Sequence, residues 1–222
     1  MIVLYFNLHL HPKKKKDMIS KEENLLKSAE ILFAEKGFSG TSTREIAKKA
    51  NANISMISYY FGSKEKLYEK IFEFRINESF TFSRDVLANA DLNEWEKMVI
   101  VIDRYADRVR RLKPFYQILQ REQLTNRNPV IFNFLMKTKL GLLEIYSELI
   151  EKGRERKIFT KNPRLEFIHA TISGTIFNAL NTLPAYQEFF GGDENYEIQY
   201  FDELKIHIKT ILKHLLGYDE NE

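Results

Sequence analysis

The stretch Asn53-Ile54-Ser55-Met56-Ile57-Ser58-Tyr59-Tyr60 gathers short hydrogen-bonding groups and phenol rings, not acids, bases or nucleophiles set out for turnover. Asn53, Ser55 and Ser58 can each donate and accept, which suits the edges of bases, and Met56 can lie against a thymine methyl. Tyr59 and Tyr60 stand beside them, phenols that suit base edges and phosphates better than plain solvent. Lys64 stands near a helix N-terminus, where unpaired backbone N–H groups favour an anion. Arg44 is a further candidate, although its neighbour Glu45 competes for it as a surface partner. These residues point to recognition of a nucleic acid.

Such groups work only if something holds them on one outward face. Ile46, Ala47, Ala50, Ile54 and Ile57 recur at helical spacing and predict a buried seam shared by two short helices around a tight turn. Ser42 with Glu45 three residues on makes a capping box at the first helix, and the second, the recognition helix, runs from about Ile54 to Tyr60. Upstream, Ser20 and Glu23 form another capping box before the stripe Leu25, Leu26, Ala29, Leu32, Phe33, which ends at Gly37. Phe38 is expected to pack back onto this bracing helix. From Ser63 a long helix carries Leu67, Ile71, Phe74 and Ile76 toward about Ala90.

Beyond it the pattern is helical throughout: Asn93 to about Arg111, Phe115 to Leu124, Pro129 to Gly153, Pro163 to Leu183 and Tyr196 to Leu216. Breaks are expected at Pro114, Asn128-Pro129, Gly153, Asn162-Pro163, Pro184 and Gly191-Gly192. No stretch alternates as a strand. The fold class is therefore all-α, a three-helix head with a helix-turn-helix plus a larger helical bundle.

The run from Leu32 to Leu67 contains G-F, T-S-T-R-E-I-A, Y-Y-F and S-K-E-K-L in one order and spacing, and it resembles the TetR family of dimeric bacterial transcriptional regulators. Many members carry glycine at the turn where this chain has Asn51, a residue that tolerates the left-handed conformation. The resemblance implies a DNA-binding domain over residues 20–68 and a ligand-binding and dimerisation domain over 69–222. It also implies a homodimer in the cytoplasm that binds a near-palindromic operator as a repressor and releases it when a small, hydrophobic inducer occupies the body. It further implies that the linker helix moves on ligand binding, and that Thr43 at the start of the first helix, Tyr59, Tyr60 and Lys64 match positions at which the family holds phosphates.

Within that frame, Phe167, Thr171, Gly174 and Asn178, with Phe201, Leu204, Ile208, Ile211 and Leu215 on the last helix, are expected at the dimer interface. Periodicity alone equally allows both stripes to close the chain's own core. Trp95, Tyr105, Phe115, Tyr116, Phe132, Phe134, Tyr146 and Phe177 are candidates for the ligand pocket, with Arg104, Arg108 and Gln120 either polar anchors for an acidic ligand or solvated, ion-paired surface.

Composition limits the alternatives. With no cysteine among 222 residues, disulfides, thiolate metal sites and cysteine nucleophiles are excluded. Net charge is +3, and residues 1–80 hold 14 Lys/Arg against 10 Asp/Glu, so the basic excess lies with the helix-turn-helix. Residues 1–19 form an extension expected to be disordered, in which an apolar run precedes His11, Pro12 and four lysines. That order does not suit an export signal, and the run is too short to span a bilayer. It reads as a basic arm adding phosphate contacts, as an ordinary tail, or as an extension upstream of a true start at Met18.

His9 and His11 could form a weak metal site, whereas His207 and His214 are expected beside the dimer seam. No cofactor, resident metal, membrane partner or enzymatic activity is expected, since G-x-G-x-x-G, G-K-[ST], G-x-S-x-G and H-E-x-x-H are all missing. Two rival functions remain at this level: a ligand-sensing or protein-interaction module that has lost DNA binding, and a transcriptional activator.

Overall fold

The computed structural model describes residues 20–125 and 128–219, so the N-terminal extension and the His9–His11 pair lie outside the described residues. Those residues are helical, without a strand. The head is α1 (Lys21–Lys36), α2 (Thr43–Lys49) and α3 (Ser55–Phe61). α4 (Lys64–Ala88) leaves the head and enters the body of α5 (Glu94–Arg111), α6 (Lys113–Thr125), α7 (Pro129–Glu155), α8 (Leu165–His169), α9 (Thr175–Phe190) and α10 (Tyr196–Leu216). A π-helical turn, Ala170–Gly174, joins α8 to α9 without a gap. No helix among the described residues is long and apolar enough to cross a membrane.

The helix starts follow side-chain capping. Ser42 Oγ accepts from the Glu45 N–H at 3.2 Å while Glu45 Oε2 accepts from the Ser42 N–H at 2.9 Å, so the capping box at α2 is complete. At α1, Ser20 Oγ accepts from the Glu23 N–H, and the Glu23 carboxylate pairs with Lys27 at 2.9 Å.

One expected break falls two residues late and another does not occur. α7 runs through Gly153, where glycine is required by a neighbour: a Cβ there would come within 2.2 Å of the buried Phe159 ring. α9 runs through Pro184 to Phe190: Leu180 and Leu183 anchor the preceding turn in the core, and Pro184 removes one backbone N–H without ending the element.

Head and body share one apolar core. Phe33 of α1 meets Tyr68 of α4 at 4.9 Å between centroids, Tyr68 meets Phe72 at 5.4 Å, and Phe72 meets Phe115 of α6 at 5.6 Å. Phe72 is buried in this row, whereas Phe74, expected inward, is exposed. Each such ring contributes about 1.5–3 kcal/mol by leaving water. Arg121 of α6 reinforces the junction by donating to the Phe33 and Ala34 carbonyls at the open C-terminal end of α1, at 2.9 and 3.1 Å. The expected boundary at residue 68 thus falls inside α4 and within this continuous core.

Candidate functional site

The head presents α3 outward. Ile46, Ala47, Ala50, Ile57 and Phe61 are buried, holding α2 and α3 together, and Tyr59 stands 82% exposed with Tyr60 packed edge-on at 5.0 Å. Ser55 and Ser58 are exposed beside them. The turn between the helices uses Asn51 at φ +48°, in the left-handed region. Asn51→Ala should therefore cost about 1–2 kcal/mol, while Asn51→Gly should be close to neutral, a contrast that thermal melting would read.

Three of the expected DNA-contact residues have a different or additional task. Asn53 Oδ1 accepts from both the Ser55 N–H (2.9 Å) and the Ser55 hydroxyl (2.8 Å), so it closes a turn leading into α3 and orders the serine beside it. Lys64 Nζ donates to the carbonyls of Phe38 and Thr41, both at 2.9 Å, and lies 4.2 Å from the Phe38 ring centroid. Its ammonium ties the α1–α2 connection to α4 and keeps one donor. Met56 is half-buried against the core and reaches the outer face only in part.

Ile54, expected in the seam, is 44% exposed at the open end of α3 and becomes an apolar candidate for base contact. Sequence reading missed it because its spacing to Ile57 fits the seam equally well. Arg44 is exposed, and the carboxylate expected to compete for it is taken: Glu45 bonds Lys36 at 2.6 Å. Thr43 is half-buried at the first position of α2.

The Lys36 ammonium and the Ser42 donors hold the Glu45 carboxyl down at about 2. A depressed carboxyl stabilises the fold fully above its unfolded value near 4.5, and that contribution is lost as pH falls from about 4.5 to about 2. Glu45→Gln should accordingly flatten the acid limb of the melting temperature measured against pH.

In the body, α4, α5, α6, α7 and the α8–α9 junction line a cavity of about 170 Å³. Of the expected pocket residues, Tyr105, Phe115, Tyr116 and Phe177 line it, and Tyr146 lines a smaller recess that shares Tyr105 and Arg108. Trp95 does not: it stacks on Tyr218 at 4.7 Å, held there by the C-terminal end of α10. Phe132 and Phe134 also lie outside the cavity lining, as does Gln120. Arg104 covers the Phe82 ring at 4.9 Å and faces the smaller recess.

Burial pushes the Tyr116 hydroxyl up to about 12 against the opposing pull of Arg108, and pushes Tyr105 well above the usual phenol range, so both are neutral donors.

The strongest polar feature was not read from sequence. Arg75, on the cavity wall of α4, donates from Nε to Glu30 Oε2 at 2.8 Å and from Nη2 to Glu30 Oε1 at 3.2 Å. This buried two-point pair bolts α4 to α1 of the head. Burial raises the Glu30 carboxyl more than Arg75 lowers it, so its charge is held at a desolvation cost. Arg108, also buried, binds Glu78 at 2.8 Å and donates to the Arg75 carbonyl. One signal was present: Arg75 follows Ile71 by one turn on the inward face of α4.

The expected dimer residues divide. Phe201, Leu204 and Ile208 are buried within the chain, because α10 turns this stripe onto α5 and α9, which corrects their expected placement at an interface. Ile211 and Leu215 are half-buried. Phe167, Gly174 and Asn178 are exposed and Thr171 is half-exposed, and the outward face of α10 carries Ile206, His207 and His214. Phe189 and Phe190, at the end of α9, are 81% and 67% exposed.

A head that offers a short recognition helix, carried by one long helix into a helical body with an internal cavity, defines a helix-turn-helix transcriptional regulator. Residues 25–71 match the family described as "Bacterial regulatory proteins, tetR family". The chain is 29% identical over 203 residues to "Probable HTH-type transcriptional regulator YttP" of Bacillus subtilis (strain 168), covering 88% of this chain and 95% of that protein. It is 34% identical over 144 residues to the "HTH-type transcriptional repressor NicS" of Pseudomonas putida KT2440, covering 62% of this chain and 65% of that one. In fold it is similar to the ketosteroid transcriptional regulator KstR2 of Mycobacterium tuberculosis, with a TM-score of 0.68 at 18% identity over 87% of this chain and 95% of that one. Residues 25–71 thus carry the TetR-family DNA-binding domain, and the chain is a DNA-binding transcriptional regulator.

Proposed function

We propose that the chain acts in the cytoplasm as a homodimeric repressor, whose two α3 helices read a near-palindromic operator and whose operator affinity falls when a small molecule fills the body cavity. The observation that carries this reading is α4: its first turns sit in the head's core, and further along Arg75, Ser79 and Phe80 form cavity wall. A ligand pressing on that wall acts on the element that sets the position of α3. The buried Glu30–Arg75 pair and the aromatic row from Phe33 to Phe115 supply stiff contact between the two ends.

In this reading Ser55, Ser58, Ile54 and the exposed part of Met56 face base edges, while Arg44, Thr43, Tyr59, Tyr60 and the remaining Lys64 donor face phosphates. The exposed apolar groups Phe167, Ile206, Phe189 and Phe190 supply the second copy's docking face, with Gly174 and Asn178 allowing close approach. Two protomers would then place their α3 helices about 34–36 Å apart, in successive major grooves.

Selection from a random duplex pool, followed by gel retardation over a salt series, tests the reading. Enrichment of an inverted repeat bound by two protomers is the expected result. A folded protein that enriches no sequence would leave a sensor without DNA binding in its place.

A further inference from the structure

The body cavity has apolar walls, yet every charged side chain on its lining is a cation. Arg75, Arg108 and Lys139 face it, with His169 beside them and no carboxylate. The two arginines are committed to Glu30 and Glu78. Lys139 has no ion pair or hydrogen bond among the described residues.

His169 is also incomplete. Its Nδ1 is buried without a hydrogen-bond partner, and its Nε2 lies 3.4 Å from Ser173 Oγ, a hydroxyl already bonded to the His169 carbonyl at 2.6 Å. The adjoining turn, Ala170–Gly174, is π-helical, a distortion frequent at functional sites, and its Ser173 shares the cavity wall with His169 four residues earlier. Burial and the Lys139 charge hold the imidazole below its usual range, so at neutral pH it is uncharged with one N–H to give.

When the Ser173 hydroxyl turns to donate to Nε2, the imidazole proton sits on Nδ1, and this buried donor and an ammonium without a counter-ion are completed by the same ligand group. A carboxylate accepts from both, through charge-assisted bonds. The remaining space limits what it carries: about 170 Å³ is close to the roughly 150 Å³ of an apolar cavity that holds one benzene ring. Phe80, Tyr105, Phe115 and Phe177 provide flat walls for such a ring.

We infer that the effector is a small single-ring carboxylate, its acid group on Lys139 and the His169 Nδ1 and its ring among these aromatic side chains. This rests on the effector-release reading proposed above and names the ligand class for the same cavity.

Calorimetric titration of the full chain with benzoate and phenylacetate, beside benzamide and phenylacetamide, tests it, with the selected operator followed by gel retardation in parallel. The acids are expected to bind at least about tenfold more tightly than the amides. Lys139→Gln, at a half-exposed position, should remove that preference with the melting temperature of the free protein unchanged, and His169→Leu should reduce it. Equal binding of acids and amides, or an acid preference that survives Lys139→Gln, would overturn the inference. So would no binding of either acid up to about 10 mM by a protein that still retards its operator, and in that case the DNA-binding reading stands. Acid binding that depends on Lys139 but leaves the operator bound would uphold the ligand class and overturn the release mechanism.

Discussion

Arg75→Ala is expected to lower the stability of the free protein by about 3–5 kcal/mol, the range for removing one partner of a buried ion pair. Glu30 is 5% exposed and would be left as an uncompensated carboxylate inside the α1–α4 junction, already raised by burial even with Arg75 present. Replacing both residues, Glu30→Leu with Arg75→Met, should recover most of that loss, because apolar groups of similar size need no desolvation. Urea melts of the two single variants and the double variant read the coupling directly. A single Arg75→Ala within about 0.5 kcal/mol of the parent would mean that the pair does not hold head to body. The double variant then asks a functional question. If the pair carries the cavity's state to the head, this protein should fold and retard DNA yet respond weakly to any effector.

The second large effect concerns the operator. Arg44→Ala should weaken binding to all duplexes and reduce the salt slope by about one per protomer, about two for the dimer, with melting unchanged. Arg44 is exposed and its neighbour Glu45 is bound to Lys36, which leaves the guanidinium available to phosphate. Lys64→Ala should behave differently, lowering the melting temperature as well as affinity, because its ammonium holds the Phe38 and Thr41 carbonyls. Ser55→Ala or Ile54→Ala should instead change base preference at symmetric positions, at about 1–3 kcal/mol per altered base contact. A uniform loss of affinity from Ser55→Ala, with preference intact, would assign that serine to ordering α3 with Asn53 and not to reading bases.

The sequence by itself determined the elements whose physics is local. Ser42 and Glu45 cap each other within one helical turn, Asn51 takes a left-handed turn, and Ile46, Ala47 and Ile57 bury a seam, all from side chains within a few residues of one another. The all-α class and the helix-turn-helix followed from such patterns.

What the sequence left open was which of two equivalent faces meets which neighbour. The apolar stripe Phe201, Leu204, Ile208 would suit a second copy or the chain's own core, and only packing onto α5 and α9 decides that it is core. Trp95 and Tyr105 look alike as candidates until Tyr218 claims the first and the cavity the second. Lys64 pairs across more than twenty residues and Arg75 across forty-five, separations at which periodicity carries no information. Burial, ion pairing and the shape of a cavity belong to the assembled chain, so the meeting of Arg75, Lys139 and His169 on one cavity lining became visible only in the tertiary structure.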